Sequence, residues 1–151
     1  MDLFPRINII DVPSSTDELG SELTPAEGKE LLVIYDAELP FLERVLAAAG
    51  YDDPAKQLHT LQRQAGSREK LDLSGLVNRL GIKKVCLFGQ DLPSLGLHFT
   101  VTPYFPITLA GVTYMICEPA AAIASAKEKG NNKPSRALWG GIKQAFLREK
   151  A

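Results

Sequence analysis

Acidic side chains follow three apolar segments of the chain, close to the point where each segment ends. They are Asp36, Asp91 and Glu118. Ligands of open parallel sheets bind beyond the carboxyl ends of the strands, so these side chains are expected at one edge of a sheet. Carboxylates gathered there could activate a water molecule or hold a divalent cation. The structural alternative, which we favour, is that each caps the helix or turn that begins there.

Other catalytic and ligand-binding patterns are missing from the sequence. The segment Gly89-Gln90-Asp91 lacks both the glycine spacing and the Lys-Ser/Thr ending of phosphate-binding loops. His59 and His98 have no second ligand at metal spacing, so each is expected at the surface or in a satisfied, partly buried position. Cys86 and Cys117 lie in apolar runs, where cysteine usually behaves as a small buried hydrophobic residue. We therefore predict no catalytic residue, no cofactor and no metal site; if the chain is an enzyme, the three carboxylates are the candidates.

The charges are segregated along a chain whose net charge is only −1. Residues 1–30 carry seven acidic and two basic side chains, whereas residues 127–150 carry seven basic and two acidic ones. The basic end could contact phosphate or an acidic peptide, although a solvated helix face explains the same pattern. The candidate nucleic-acid contacts are Lys127, Lys129, Lys133 and Lys143.

The length of 151 residues, 45% of them hydrophobic, suits a single globular domain. We place this domain at residues 31–151. No apolar run approaches the roughly 18 residues of a membrane span, and the chain does not open with a basic region followed by a long apolar run. A reducing cytoplasm is therefore the expected location.

Residues 1–30 are predicted to form a partly extended arm, because they combine proline, glycine and acidic side chains. The arm carries one apolar cluster, which includes Ile7, Ile9 and Ile10. Such a cluster is typical of a short stretch that adds to a sheet edge or fills a groove of a partner. The alternative is that it packs on the domain of its own chain, since an uncovered apolar patch is a liability.

Apolar runs and helical spacings alternate through the domain, which predicts a parallel sheet with helices on both faces. Four strands are expected, and a fifth segment is either an edge strand or a loop. The predicted strands are Leu31 to Tyr35, Gln57 to Leu61, Lys83 to Gly89 and Val112 to Cys117, with Phe105 to Leu109 as the ambiguous segment.

The last predicted helix combines an apolar stripe with two glycines. Trp139, Ile142 and Phe146 recur at helical spacing, which predicts core packing. Gly140 and Gly141 interrupt this helix, although an interior glycine costs about 1 kcal/mol relative to alanine. Close approach of another backbone, or of a partner, would explain them.

Several elements resemble, in the same order, those of the uracil-DNA glycosylase superfamily. They are Leu31 to Tyr35, the helix ending Leu46-Ala47-Ala48-Ala49-Gly50, Val85 to Gly89, and the loop at Glu118-Pro119. Active members of the common microbial type carry a Gly-Glu-x-Pro-Gly loop after the first strand and a histidine where this chain has Glu118. Here Tyr35 leads directly into a short turn, and Ala120 stands in the place of a serine. The resemblance therefore implies the fold of this superfamily without its activity.

A narrower resemblance is to the psi subunit family of the bacterial DNA polymerase III holoenzyme, a shortened and catalytically empty relative of the glycosylase fold. The matching segments are Glu38-Leu39-Pro40, Leu58-His59-Thr60-Leu61 and Ser135-Arg136-Ala137-Leu138-Trp139 followed by Ile142. This resemblance implies a replication or repair protein as partner. The residues that we assign to partner binding are Ile7, Ile9, Ile10, Arg136 and Trp139.

The sequence thus predicts a three-layer α/β/α domain with a mainly parallel four-stranded sheet of the glycosylase-like type. Its predicted role is that of a non-catalytic accessory protein in DNA replication or repair. Two other classes remain open. One is a divergent glycosylase or hydrolase that uses Asp36, Asp91 or Glu118, which would need a pocket for a flipped base. The other is a nucleic-acid-binding module that uses the basic C-terminal end.

Overall fold

A computed structural model describes residues 29–51, 53, 57–99 and 102–146. The apolar cluster of the predicted arm, with Ile7, Ile9 and Ile10, lies outside the described residues. Within them the chain forms an α/β fold with one sheet. No described helix has the length and apolar character needed to cross a membrane.

The sheet has five strands in the order β2-β1-β3-β5-β4. They are β1 (Leu31–Tyr35), β2 (His59–Gln62), β3 (Lys84–Phe88), β4 (Ile107–Leu109) and β5 (Val112–Cys117). All neighbouring strands are parallel except β4, which pairs antiparallel with β5. The coarse prediction of a mainly parallel α/β sheet is therefore confirmed, but the sheet has five strands rather than four.

Two local features explain where the strands differ from the prediction. The ambiguous segment before residue 110 is an edge strand, because Ala110 and Gly111 both take positive φ values, 50° and 81°, and close a two-residue hairpin to β5. The second strand begins later than predicted because Gln57 is held in a turn. Its backbone N–H donates to the carbonyl oxygen of Asp53 at 3.1 Å, and its side-chain oxygen accepts from the Asp53 N–H at 2.9 Å.

Within the described residues, four α-helices and one short 3₁₀ helix accompany the sheet. They are α1 (Leu39–Ala48), α2 (Leu73–Leu80), α3 (Ala120–Glu128), α4 (Lys133–Ala145) and the 3₁₀ helix Pro93–Leu95. The ends of α2 follow ordinary capping chemistry. The Asp72 carboxylate accepts from the Gly75 N–H at 3.0 Å, and Gly81 ends the helix with a φ of 68°.

Every residue of β1 is buried, and successive side chains enter two different cores. Leu31, Val33 and Tyr35 pack with α1, α3 and α4, whereas Leu32 and Ile34 pack with α2. A strand covered on both faces must be apolar at every position, which is why this segment shows no alternation in the sequence. The two cores place helices on both sides of the sheet.

The strand order creates a switch point between β1 and β3. The chain passes from β1 to β2 on one side, and then returns past β1 to β3 on the other. The helices α1 and α2 accordingly lie on opposite faces, as right-handed crossovers require. In open α/β sheets ligands bind beyond the carboxyl ends of the strands at such a point. The candidate site is therefore the edge formed by the carboxyl ends of β1 and β3.

The two adjacent glycines of α4 have different surroundings. A Cβ atom on Gly141 would lie 2.5 Å from the Tyr104 carbonyl oxygen and would overlap the Met115 sulfur. A Cβ atom on Gly140 would meet nothing within 4 Å. Close backbone approach within the domain therefore explains Gly141, whereas the described part of the chain gives no reason for Gly140.

This contrast predicts opposite effects of two neighbouring substitutions. Gly140→Ala should raise the free energy of unfolding by about 0.5 to 1 kcal/mol, because it improves helix propensity without a clash. Gly141→Ala should lower the free energy of unfolding by about 1 to 3 kcal/mol, because the methyl group would push Tyr104 and Met115 away from α4. Urea unfolding followed by far-UV circular dichroism measures both. Equal losses in the two variants would contradict this account of α4.

Candidate functional site

The Asp36 carboxylate connects the end of β1 to the start of α3. Its Oδ1 accepts the Ala120 backbone N–H at 2.6 Å, and its Oδ2 accepts the Ala121 N–H at 3.3 Å. The first turn of a helix presents unpaired N–H groups and a partial positive charge, which a carboxylate stabilises. Asp36 therefore caps a helix that lies 84 residues further along the chain, rather than the helix that follows it.

Glu118 lies immediately after β5 and accepts a hydrogen bond from a tyrosine. The Tyr104 hydroxyl donates to Glu118 Oε1 at 2.7 Å. Burial raises the pKa of Tyr104 well above its usual range, and the bond to the Glu118 carboxylate raises it further. Tyr104 also has a positive φ of 68°, and its backbone N–H donates to the Ile116 carbonyl oxygen at 2.9 Å. The glutamate thus fastens a strained loop beside the end of β5.

Gly89 closes the space between the end of β3 and the start of α3. Its φ is +67°, and a Cβ atom there would lie 3.0 Å from the Pro119 Cα. Its N–H donates to the Cys117 carbonyl oxygen at 3.0 Å, and its carbonyl oxygen accepts the Gly66 N–H at 2.9 Å. A residue with a side chain would push β3 and α3 apart at this junction.

Asp91 belongs to a separate turn and not to the start of α3. Its Oδ2 accepts the Ser94 backbone N–H at 3.2 Å, and its carbonyl oxygen accepts from the Ser94 hydroxyl at 2.6 Å. The three carboxylates therefore occupy the expected edge in two local structures. Asp36 and Glu118 flank the first residues of α3, whereas Asp91 begins the loop after β3.

The segment from Gln90 to Phe99 lines a cleft of about 470 Å³ beside the end of β3. The lining residues are Gln90, Asp91, Leu92, Pro93, Leu97, His98 and Phe99. This cleft lies where the topology places ligands, and it offers a carboxylate, an imidazole and an aromatic ring. It is built by one continuous segment. No cluster of histidine, cysteine, aspartate and glutamate side chains among the described residues could hold a metal ion.

A buried arginine ties the ends of β2 and β3 together. Arg63 is only 4% exposed, and its Nη1 donates to Gln90 Oε1 at 3.0 Å. Its Nη2 donates to the Ser94 hydroxyl at 3.2 Å and to the Glu69 carbonyl oxygen. The Gln90 amide returns two bonds, to the carbonyl oxygens of Arg63 at 3.0 Å and Phe88 at 2.9 Å. The result is a closed polar network under the loop.

The charge of Arg63 is compensated mainly by neutral dipoles. Burial lowers the pKa of the guanidinium, whereas the carboxylates of Glu69 and Asp91 raise it. Arginine nevertheless stays protonated in proteins, so the network must hold a full positive charge. Its Nε atom is buried and has no partner in the described part of the chain.

Sequence analysis missed Arg63 because nothing in its neighbourhood distinguishes it. It stands between Gln62 and Gln64 in a polar stretch, where arginine is usually exposed. A buried charge is recognised only when its partners are known, and Gln90 and Ser94 follow 27 and 31 residues later. The glutamine directly after the third strand was the available signal, since its amide supplies both a donor and an acceptor.

The two histidines differ in burial. His98 is exposed and lines the cleft after β3, as expected for a surface residue. His59 is only 4% exposed, and its Nε2 has no hydrogen-bond partner within the described residues, so the expectation of a satisfied position is wrong. Burial lowers the pKa of His59, and the nearby charges of Lys29 and Arg79 lower it further.

Both cysteines are buried and free, as the apolar runs around them indicated. Cys86 and Cys117 lie on neighbouring strands and enter the same core as Met115. Burial raises the pKa of the Cys117 thiol, and the adjacent Cys86 thiol raises it further. These thiols are poor nucleophiles, because the thiolate is the reactive form.

Of the residues that were predicted to bind a partner or nucleic acid, those within the described part of the chain lie on α3, directly after it, or on α4. Arg136 is exposed, whereas Trp139 is half-buried and packs against the core with α1 and α3. The predicted nucleic-acid contacts Lys127, Lys129, Lys133 and Lys143 are all exposed. Two of these ammonium groups lie over aromatic rings: Lys127 lies 5.7 Å from the Phe41 centroid and Lys143 lies 5.9 Å from that of Trp139.

Comparison with models of known protein families finds no match, and a search of curated proteins finds no significant relative.

Removing the Asp36 carboxylate should loosen the start of α3. We expect Asp36→Ala to lower the free energy of unfolding by about 0.5 to 2 kcal/mol, the range for loss of a helix N-cap. Asp36→Asn should lower the free energy of unfolding by a smaller amount, because the asparagine side chain keeps one oxygen acceptor. Glu43→Ala, on the exposed side of α1, is the control and should change little. An Asp36→Ala variant as stable as this control would exclude the capping role.

Replacing Arg63 should destabilise the edge that carries the cleft. Arg63→Met keeps an unbranched apolar stem but leaves Gln90 and Ser94 without their donor, so we expect a loss of about 2 to 4 kcal/mol. The matched control is Arg68→Met, an exposed arginine of the same loop, which should change stability by less than about 0.5 kcal/mol. Urea titration compares the two. A loss for Arg63→Met no larger than that of its control would refute the network.

Proposed function

We propose that this chain is a non-catalytic accessory protein of DNA replication or repair that acts in the cytoplasm through protein–protein contacts. In this proposal its α/β domain is a glycosylase-like fold that has lost the base-binding site, as in the psi subunit family. The proposal extends the sequence resemblance at Glu38-Leu39-Pro40 and at the closing helix. Its partner is a subunit of a polymerase holoenzyme or another replication or repair protein.

The observation that carries the proposal is the use of Asp36. A glycosylase of this fold would need an open pocket after the first strand, with groups free to stack on a flipped base and hydrogen-bond to it. Here both oxygens of the Asp36 carboxylate accept N–H groups of α3. Glu118, the candidate beside it, accepts the Tyr104 hydroxyl. Gly89 packs on Pro119 and leaves no space for a side chain at the same junction.

The proposed partner surface is the outward side of α4. Arg136 is exposed there, and the half-buried ring of Trp139 lies next to it, with Lys143 over the ring. Arginine and tryptophan are the residue types that most often dominate the energy of protein interfaces. The arm residues Ile7, Ile9 and Ile10 are the second proposed contact.

A nucleic-acid-binding module is the second candidate. The four exposed lysines Lys127, Lys129, Lys133 and Lys143 lie on two consecutive helices, where they could replace the counterions of a phosphate backbone. The net charge of −1 supplies no long-range attraction, so this function would depend on the local basic surface alone.

One set of oligonucleotides separates these functions. Purified protein is incubated with single-stranded and duplex DNA that contains uracil and is then treated with alkali, and we expect no strand cleavage. Binding of the same oligonucleotides is measured at several salt concentrations, and we expect no binding with a steep salt dependence. Cleavage that Glu118→Gln or Asp36→Asn abolishes would replace our proposal with the enzyme. A steep salt slope that Lys129→Ala and Lys133→Ala reduce would favour the nucleic-acid module.

The positive test is recovery of the partner from the native cell. Affinity purification followed by mass spectrometry should recover replication or repair proteins with the wild-type chain. Arg136→Glu should lose them, whereas Arg68→Glu, an exposed arginine of the loop after β2, should retain them. Recovery of the same proteins with Arg136→Glu would exclude α4 as the contact surface.

A further inference from the structure

The outward side of α4 is polar and basic, and its centre carries only very small side chains. We call it the α4 outer face; its exposed residues are Lys133, Arg136, Ala137, Gly140, Lys143 and Gln144. Ala137 and Gly140 occupy the middle and carry almost no side chain. Within the described ranges, nothing lies within 4 Å of where a Gly140 side chain would begin. A chain segment laid along this face would therefore reach the flanking cations without obstruction.

The cations of α4 continue onto the end of α3. Lys127 and Lys129 are exposed in the last turn of α3 and just after it, and Glu128 is the single acidic residue among them. Together with Lys133, Arg136 and Lys143, they make five positive charges against one negative charge. A concentration of one sign on a protein of nearly zero net charge attracts an oppositely charged segment.

The oppositely charged segment is present in the same chain. Residues 1–28 carry six carboxylates and one basic side chain, Arg6. They also carry an apolar cluster around Ile9 that could cover the exposed part of Trp139. The net charge of this segment is therefore −5, opposite in sign to that of the basic surface.

The point of attachment allows the segment to reach the α4 outer face. Residue 28 precedes Lys29, which lies two residues before β1, the second strand of the sheet. A 28-residue segment can span up to about 90 Å when extended, far more than the width of a five-stranded sheet, whose strands lie about 5 Å apart. Because both parts belong to one chain, the segment is present at an effective concentration on the order of millimolar.

We propose that residues 1–28 dock in cis on the α4 outer face, with their carboxylates against Lys133, Arg136 and Lys143. The segment thereby covers the basic surface and the adjacent part of Trp139 when no partner is bound. The contact is electrostatic and exposed to solvent, so salt weakens it. It is a property of the isolated chain and does not depend on the proposed function.

The only tryptophan of the chain reports on this contact. Trp139 is half-buried beside the α4 outer face, so docking shields it and undocking exposes it. The full chain is titrated with acrylamide, a neutral quencher, at low and at high sodium chloride concentration. We expect weak quenching of Trp139 at low salt, and stronger quenching with a shift of emission to longer wavelength at high salt.

Variants at the two ends of the contact test its electrostatic origin. Removing three of the six carboxylates of the segment with Asp17→Asn, Glu18→Gln and Glu22→Gln lowers its net charge from −5 to −2, and this should give stronger quenching of Trp139 already at low salt. The matched control exchanges the same residues without changing charge, as Asp17→Glu, Glu18→Asp and Glu22→Asp, and should keep the shielding. Tm is measured for both variants, and we expect it to stay close to that of the wild type.

Charge exchange across the contact supplies the decisive comparison. Lys133→Glu with Arg136→Glu should abolish the low-salt shielding of Trp139, and adding Asp17→Lys, Glu18→Lys and Glu22→Lys should restore it. Quenching that is independent of salt and of all these changes would overturn the proposal. Shielding that rises with protein concentration, together with a doubled mass in sedimentation, would also overturn it and assign the contact to a second copy of the chain.

Discussion

Burial of β1 on both of its faces is the constraint on which the rest of the structure depends. Leu31 to Tyr35 has no side chain turned towards water, so helices must cover the sheet on both sides. The crossover from β1 to β2 places α1 on one face, and the crossover from β2 to β3 places α2 on the other. The same crossovers bring the ends of β1 and β3 together, and they thereby create the edge where the polar side chains gather.

The polar groups at that edge hold the elements in place. Asp36 joins β1 to α3, Arg63 joins β2 to the loop after β3, and Glu118 fastens the Tyr104 loop. Each of these contacts connects parts of the chain that are distant in sequence. An edge built in this way is rigid, because moving any one of its side chains leaves a donor or an acceptor without a partner.

The sequence predicted those features that depend on neighbouring residues. Leu31–Tyr35 and Val112–Cys117 have the predicted bounds as strands, since a continuous apolar run between polar residues is a local signal. Asp72 and Gly81 mark the ends of α2, and such capping is a local signal because it involves residues within one turn. Asp36 was expected to cap the helix or turn that begins beside it, and this expectation is wrong because its carboxylate caps α3, which lies 84 residues later.

Features that depend on distant residues could not be predicted. The Arg63 network needs partners 27 and 31 residues away, and no local pattern marks an arginine that will be buried. The burial of His59 could not be predicted for a similar reason, because it follows from the packing around β2 and not from its neighbours in sequence. The start of β2 was misplaced because a turn at Gln57 competes with strand pairing, and the apolar pattern does not record that competition.

The two glycines of α4 show how tertiary context separates residues that the sequence treats alike. Gly141 faces the Tyr104 backbone and is required by the packing of the domain, whereas Gly140 faces outward and is not. Gly140 lowers the stability of α4, and the packing of the described domain does not require it, so a reason for this glycine would lie on the outer side of the helix. On α4 that outer side is basic, whereas residues 1–28 carry six acidic side chains against one basic side chain. The start of α3 is closed by the Asp36 cap, so the basic outer side of α4 is a second exposed surface besides the cleft after β3.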